Sequence, residues 1–145
     1  MSHNSILSEE EIEALLEVTA GSQSRPVVLL VDDDRQVLAK MRHWIERANF
    51  HCLTASSAAA AMRRISRDEA GIDLLVTDLR MEHDGSGLDL IRQLKSAGTF
   101  LPIIVLSGHA QTRELIDAME LNVLDFMLKP VDPVHFVGAL RRCLG

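Results

Sequence analysis

Short apolar runs alternate with segments of helical periodicity from residue 27 to the carboxyl terminus. The runs are nearly continuous in hydrophobic residues, which is typical of parallel strands that are covered on both faces. Each run is followed by apolar residues spaced three or four apart, as on one face of a helix. Five such repeats predict a parallel sheet with right-handed crossovers and helices on both sides. The five runs are Val27–Val31, His51–Thr54, Ile72–Thr77, Leu101–Leu106 and Val123–Leu128.

A separate amphipathic segment precedes the repeats. Ser8-Glu-Glu-Glu11 has the pattern of a capping box, and Ile12, Leu15 and Leu16 then form a one-sided apolar stripe. A helix this short is marginal by itself, so the stripe requires a partner surface. We therefore predict an amphipathic peptide over residues 1–18, a linker over 19–26 and a domain over 27–145.

Composition and charge exclude several classes of function. A chain of 145 residues that is 47% hydrophobic can form one domain with a full core. Five glutamates and one arginine give the first 25 residues a net charge of −4, out of −6 for the chain, and no basic stripe indicates nucleic-acid binding. No apolar run is long enough to cross a bilayer, and no secretory signal is present. Cys52 and Cys143 lack a metal-binding or redox spacing. We expect a cytoplasmic protein that contacts neither nucleic acid nor membrane.

Polar residues follow four of the five predicted strands, at the point where each strand ends. Asp32-Asp33-Asp34 follows the first, Asp78 the third, Ser107 the fourth and Lys129 the fifth. The carboxyl ends of parallel strands meet at one edge of a sheet, where ligand sites form. Clustered carboxylates repel one another unless a cation joins them, and hard oxygen ligands favour Mg²⁺ together with a phosphate-bearing partner. A lysine and a serine hydroxyl can hold phosphoryl oxygens. The set predicts a site that places a phosphoryl group on an aspartate.

Taken singly, each of these signals has an ordinary structural explanation. An acidic residue after a strand often caps the next helix, and we expect Asp34 to do so. Ser107-Gly108 can be a plain turn and Lys129-Pro130 a plain loop. Their joint occurrence at the ends of separate strands favours the functional interpretation.

The chain resembles the receiver domains of bacterial response regulators, of the chemotaxis CheY-like type. The resemblance covers residues 26–145 and implies a flavodoxin-like (βα)5 doubly wound parallel sheet with strand order 2-1-3-4-5. The matching stretches are Val28-Leu-Leu-Val-Asp-Asp-Asp34, Leu74-Leu-Val-Thr-Asp-Leu-Arg-Met81, Gly87-Leu-Asp-Leu90, Leu101-Pro-Ile-Ile-Val-Leu-Ser-Gly108 and Asp125-Phe-Met-Leu-Lys-Pro130.

The resemblance implies a role for each acidic residue of the site. Asp78 looks like the phosphoacceptor, which takes its phosphoryl group from a sensor histidine kinase or a phosphotransfer protein. Mg²⁺ would be bound by the side chains of Asp33 and Asp78, by the backbone carbonyl of Arg80, and by Asp32 through water.

The resemblance also implies a switch. Lys129 would hold the phosphoryl group and the acceptor carboxylate of Asp78. The hydroxyl of Ser107 would follow the phosphoryl group, and Phe126 would turn inward behind Ser107. This movement would repack the surface formed by the fourth helix, the fifth strand and the fifth helix. Pro130 would follow a cis peptide bond.

The loop over residues 81–87 departs from the family pattern. Glu82 stands where the family usually has proline, and the loop is one residue longer than usual. Loops accept insertions at little cost, so we interpret this as a tolerated surface change.

The amino-terminal peptide has a resemblance of its own. Residues 5–16 are similar to the segment of the flagellar motor switch protein FliM that docks onto chemotaxis regulators. We expect this peptide to bind the surface that the switch repacks, on a receiver domain of its own or another chain, through Ile6, Leu7, Ile12, Leu15 and Leu16.

Three functions remain open at this point. Because no output domain follows residue 145, we favour a single-domain regulator of a chemotaxis-type phosphorelay, which accepts and loses a phosphoryl group without being a turnover enzyme. A small phosphatase with an aspartyl nucleophile is an alternative, although it would place the nucleophile after the first strand. A phosphorylation-independent interaction module is the third.

Overall fold

The computed structural model contains one parallel sheet of five strands, and it describes residues 8–10, 25–79, 87–110, 113, 116–117 and 122–145. The strand order is β2-β1-β3-β4-β5, with parallel pairing at every step. The predicted sheet and its 2-1-3-4-5 order are therefore confirmed. The strands are β1 (Val27–Val31), β2 (His51–Ala55), β3 (Leu74–Asp78), β4 (Ile103–Ser107) and β5 (Val123–Leu128).

Helices cover both faces of this sheet. On one face, α2 and α3 pack on a core that includes Ile65 and Leu94, and on the other, α1 and α4 pack on a core that includes Met41 and Phe136. The central strands β3 and β4 are therefore buried at every position, which is why their sequences are apolar throughout. The helices whose bounds the structure describes are α1 (Arg35–Arg47), α2 (Ala58–Asp68), α3 (Gly87–Ala97) and α4 (Pro133–Leu144).

Side chains cap the helices that leave the edge of the sheet formed by the strands' carboxyl ends. The carboxylate of Asp34 accepts hydrogen bonds from the backbone N–H groups of Gln36 and Val37, at 2.9 and 3.3 Å. It thereby satisfies two donors that the first turn of α1 leaves without helical partners. The predicted capping role of Asp34 is confirmed, and Asp132 caps α4 in the same way through the N–H of His135.

Strand boundaries differ from the apolar runs by up to two residues. Ile72 and Leu101 begin their runs and are buried, yet β3 starts at Leu74 and β4 at Ile103. A hydrophobic residue indicates burial, but not hydrogen bonding to a neighbouring strand. A buried apolar residue just before a strand therefore looks like part of that strand in the sequence. The expectation of two covered faces also fails for β5, an edge strand in which Leu124 and Leu128 are exposed.

Several predictions fall outside the described residues. Of the amino-terminal peptide only Ser8, Glu9 and Glu10 are described, and both glutamates are helical and exposed. Arg80 and most of the 81–87 loop lie outside as well. No helix in the described part of the chain is long and apolar enough to span a bilayer.

Candidate functional site at the carboxyl edge of the sheet

Four strands deliver the candidate side chains to one edge of the sheet. Asp32 follows β1 directly, Asp78 ends β3, Ser107 ends β4 and Lys129 follows β5. Strand pairing sets their relative heights, because Asp78 lies opposite Leu106 and the backbone N–H of Lys129 donates to the carbonyl of Ser107 at 2.9 Å. The convergence that the sequence predicts is therefore present.

Lys129 joins two of the carboxylates. Its Nζ lies 2.9 Å from Oδ2 of Asp32 and 2.7 Å from Oδ2 of Asp78. The side chains of the two aspartates are 1% and 7% exposed, while that of Lys129 is 28% exposed. Charge-assisted hydrogen bonds of this length are strong where water is largely excluded. The ammonium group therefore fixes the two carboxylates relative to each other.

Burial and the neighbouring polar groups act in opposite directions on the pKa values of Asp32 and Lys129. Burial raises the pKa of Asp32 above its usual value, although the N–H of Asp34 and the ammonium of Lys129 oppose the rise. Burial alone would lower the pKa of Lys129, but the hydrogen bonds and negative charges of Asp78 and Asp32 outweigh it and the pKa is raised. Lys129 is therefore positively charged at neutral pH.

The acidic residues fit a divalent metal ion. Asp32, Asp33 and Asp78 each offer a carboxylate oxygen, and these oxygens all lie within 4.8 Å of one another. Three ionised carboxylates and one ammonium group have a net charge of −2, which one divalent cation would balance. Carboxylate oxygens are the hard ligands that Mg²⁺ and Ca²⁺ prefer. The structure thus provides an acidic pocket typical of divalent metal binding, while the predicted contribution of Arg80 lies outside the described residues.

Ser107 is fully buried at the end of β4. Its hydroxyl donates to the carbonyl of His109 at 3.3 Å and accepts from the N–H of His109 at 3.1 Å. Ser107 therefore holds the turn that leaves β4, and its oxygen lies on the same edge as Lys129.

Phe126 lies at the border between core and surface. Its ring is partly buried and packs against the core formed with α2 and α3. It also borders an open groove of about 320 Å³, called the β5 groove below. Residues that line the β5 groove include Ala110, Arg113, Phe126, Leu128, Val131 and His135.

One charged contact was missed by the sequence analysis. Oδ2 of Asp125 lies 3.8 Å from Nε2 of His135 and 3.9 Å from a guanidinium nitrogen of Arg142. Oδ1 of the same carboxylate accepts the backbone N–H of Phe126 at 2.8 Å. The signal in the sequence was Asp125, an acidic residue inside an apolar run, followed by His135 and Arg142. These two residues are seven apart and therefore lie on one face of a helix. This contact links β5 to α4 beside Phe126.

The peptide bond between Lys129 and Pro130 is cis, as the resemblance implied. It lies directly after the lysine that contacts both aspartates.

Comparison with known proteins identifies the family. The profile described as "Response regulator receiver domain" matches residues 28–141 of the chain. The two-component response regulator PprB of Pseudomonas aeruginosa is 33% identical over 118 residues, which are 79% of this chain and 42% of PprB. The transcriptional regulatory protein FixJ of Azorhizobium caulinodans is 33% identical over 122 residues, 81% of this chain and 54% of FixJ. The chain belongs to the response regulator receiver domain family.

Solved structures agree on the architecture. A response regulator receiver protein from Pseudomonas putida is 36% identical, with a TM-score of 0.70 over 82% of this chain and 98% of the other. The chemotaxis protein CheY4 of Vibrio cholerae, at 21% identity, shares the fold with a TM-score of 0.72 over 83% of this chain and 100% of CheY4.

The comparisons define the class of function at a coarse level. Receiver domains are the parts of two-component response regulators that interact with histidine kinases or phosphotransfer proteins. The chain spans about half or less of the length of the curated relatives it matches, from 25% of AlgB to 54% of FixJ.

Proposed function

We propose that Asp78 accepts a phosphoryl group from a sensor histidine kinase or a phosphotransfer protein. The observation that supports this proposal most directly is the contact of Lys129 with both Asp78 and Asp32, beside a cluster of three carboxylates. An isolated lysine or aspartate at the end of a strand is common, but this combination is suited to a group that carries several negative charges.

The reaction is a transfer of phosphorus between two nucleophiles. A carboxylate oxygen of Asp78 forms the new bond to phosphorus, while the bond from phosphorus to the donor histidine nitrogen breaks. Lys129, already 2.7 Å from Asp78, offsets the negative charge of the phosphoryl oxygens. The hydroxyl of Ser107 donates to one of those oxygens.

Mg²⁺ is the cation that we assign to the acidic pocket. Asp33 and Asp78 would hold it through carboxylate oxygens and Asp32 through water, and the family resemblance adds the backbone carbonyl of Arg80. When bound, the ion supplies two positive charges next to the incoming phosphoryl group.

Phosphorylation acts on the rest of the domain through Ser107 and Phe126. When the Ser107 hydroxyl moves to the phosphoryl group, its contacts with His109 are lost and the Phe126 ring fills the vacated space. Because Phe126 lines the β5 groove, this movement changes the surface formed by the predicted helix before β5, by β5 and by α4. Phenylalanine has no hydroxyl to bond when it points outward, so the inward state is favoured. Equal populations of the two states by NMR in wild type and Phe126→Tyr would contradict this point.

The domain acts through protein contacts in a chemotaxis-type phosphorelay of the cytoplasm. Asp78 is a stoichiometric acceptor that is phosphorylated and dephosphorylated, not the nucleophile of a turnover enzyme. The amino-terminal peptide docks on a receiver face, and its resemblance to FliM supports this assignment.

The decisive experiment measures where phosphorus is attached. The purified chain is incubated with acetyl phosphate and Mg²⁺, and its intact mass is determined. We expect one added phosphoryl group in wild type, none in Asp78→Asn, and none in wild type with EDTA. Asp89→Asn is the matched control, because Asp89 is a partly exposed aspartate on α3 that pairs with Arg92. An adduct that persists in Asp78→Asn would exclude the proposed acceptor.

A further inference from the structure

A second groove lies between α1 and α4. It has a volume of about 370 Å³ and is called the α1–α4 groove here. Residues that line it include His43, Trp44, Arg47, Pro133, Val137 and Arg141. The indole of Trp44 and the side chain of Val137 are only partly buried, so the floor is apolar while the rim is basic.

The basic rim is not neutralised within the described part of the chain. Arg42 pairs with Glu46 at 3.4 Å, but neither Arg47 nor Arg141 forms an ion pair with another described residue. Lys40 adds a further cation 5.8 Å from the Trp44 ring. Basic residues in the last turn of a helix are favoured by the helix dipole, which accounts for Arg47 and Arg141 singly. The dipole does not account for a partly exposed tryptophan that lines the same groove as both arginines.

The amino-terminal peptide has the complementary chemistry. On a helix, the spacing of Ile12, Leu15 and Leu16 forms one apolar stripe, and Glu9, Glu11 and Glu13 flank it. Carboxylates on both sides of an apolar stripe match a groove with an apolar floor and arginines on its rim.

The chain leaves the domain next to this groove. The carbonyl of Pro26 accepts the N–H of His51 at 2.9 Å, which fixes the end of the linker. Pro26 also lines a hollow that shares Ala48 and Arg141 with the α1–α4 groove. An eight-residue flexible linker spans about 15 Å, so a peptide tethered at Pro26 has this groove within reach.

The β5 groove is a poorer match for the same tether. Three strand spacings separate β1 from β5, about 14 Å across the sheet, and β1 extends about 15 Å from Pro26 toward the carboxyl edge. The resulting distance of about 20 Å exceeds the root-mean-square length of the linker, which lowers the effective concentration of the peptide there.

We propose that residues 8–18 dock, within the same molecule, in the α1–α4 groove, with Ile12, Leu15 and Leu16 toward Trp44 and the glutamates toward Arg47 and Arg141. This inference rests on the proposed docking of the amino-terminal peptide, and it places the peptide in the α1–α4 groove of its own domain rather than on the surface that the switch repacks. It leaves the β5 groove accessible to other proteins when the domain is phosphorylated.

Paramagnetic broadening in the full chain tests the location. A nitroxide is attached to Ala14→Cys in a Cys143→Ala background, because Cys52 is buried and unreactive. We expect broadening of the backbone amides of residues 43–48 and 137–141. Broadening of residues 126–132 instead, or of no described residue, would overturn the proposal. So would broadening that appears only between a nitroxide-labelled chain and a separate isotope-labelled chain, because that result indicates docking in trans.

Trp44 is the only tryptophan and reports directly on the groove. In the full chain, Leu15→Glu and the double variant Arg47→Glu/Arg141→Glu should each shift Trp44 emission to longer wavelength and increase its quenching by acrylamide. If each arginine supplies an exposed ion pair of typical strength, the double variant lowers the ratio of docked to undocked peptide by roughly a factor of ten. Arg63→Glu, an exposed arginine on α2 at the opposite face, is the matched control and should change nothing.

Two control measurements distinguish loss of peptide docking from unfolding of the domain and from loss of phosphorylation. Thermal unfolding of each variant shows whether the domain is still folded. Phosphorylation by acetyl phosphate, measured by intact mass, should be unchanged in Leu15→Glu, so loss of docking and loss of phosphoryl transfer are distinguishable. Unchanged fluorescence in both Leu15→Glu and the arginine double variant would overturn the proposal.

Discussion

At the scale of single residues, the site depends on one lysine between two buried carboxylates. Lys129 is the cation that the described residues supply to Asp32 and Asp78. Each carboxylate would be costly to bury ionised without such a partner. The same lysine competes with a metal ion for the negative charge of the cluster.

Replacement of Lys129 should change both the stability of the domain and its affinity for Mg²⁺. In EDTA at neutral pH, Lys129→Met should lower the free energy of unfolding by about 1–3 kcal/mol, because two buried carboxylates lose their cation. It should also tighten Mg²⁺ binding, since a competing positive charge is removed. Urea unfolding and metal titration measure these changes, and Lys95→Met, an exposed helical lysine, is the control. Weaker Mg²⁺ binding in Lys129→Met would contradict the interpretation.

A second residue makes stability depend on pH at the alkaline end. Cys52 is buried in β2, and burial raises the pKa of its thiol to about 12 from the usual 9.0. Between these values the unfolded chain loses the proton while the folded chain keeps it, so the free energy of unfolding falls as pH rises. From pH 8 to pH 10, wild type should lose about 1.4 kcal/mol more than Cys52→Val. Equal losses in urea unfolding would show that the folded thiol ionises normally.

At the scale of elements, three consecutive aspartates after β1 have different roles. Asp32 is buried and contacts Lys129, Asp33 belongs to the carboxylate cluster, and Asp34 caps α1. Successive residues that leave a strand point in different directions, so neighbours in sequence reach different partners. The run of identical residues did not by itself separate these roles.

The cap can be tested apart from the site. Asp34→Ala should lower the free energy of unfolding by about 1 kcal/mol, because two N–H groups of α1 lose their acceptor. Asp34→Ser should retain most of the stability, since serine also caps helices. Both variants should still be phosphorylated by acetyl phosphate. Loss of phosphorylation in Asp34→Ser would assign this residue to the site instead.

At the scale of the whole molecule, the ends of β1 and β3 together create an acidic pocket that neither strand contains alone. The three carboxylates come together only when β1 and β3 are paired, so a divalent ion that binds them should stabilise the folded domain as a unit.

This linkage has a measurable size. Above its dissociation constant, each tenfold increase in Mg²⁺ should raise the free energy of unfolding of wild type by about 1.4 kcal/mol. Asp33→Asn should lose most of this dependence, while Asp89→Asn should keep it. Thermal unfolding across a Mg²⁺ series measures the slope, and equal slopes in wild type and Asp33→Asn would exclude Asp33 as a ligand.

The sequence determined the local structure and much of the fold. Apolar runs fixed the strands to within two residues, because burial on both faces requires continuous hydrophobic residues. The motifs fixed the strand order only through their resemblance to a family. Tertiary structure alone decided that Lys129 also contacts Asp32, 97 positions away, and that Asp125 lies close to His135 and Arg142. It also formed the α1–α4 groove. Periodicity assigns residues to faces of one element, whereas the distance between side chains of different elements depends on register and packing, which no local pattern specifies.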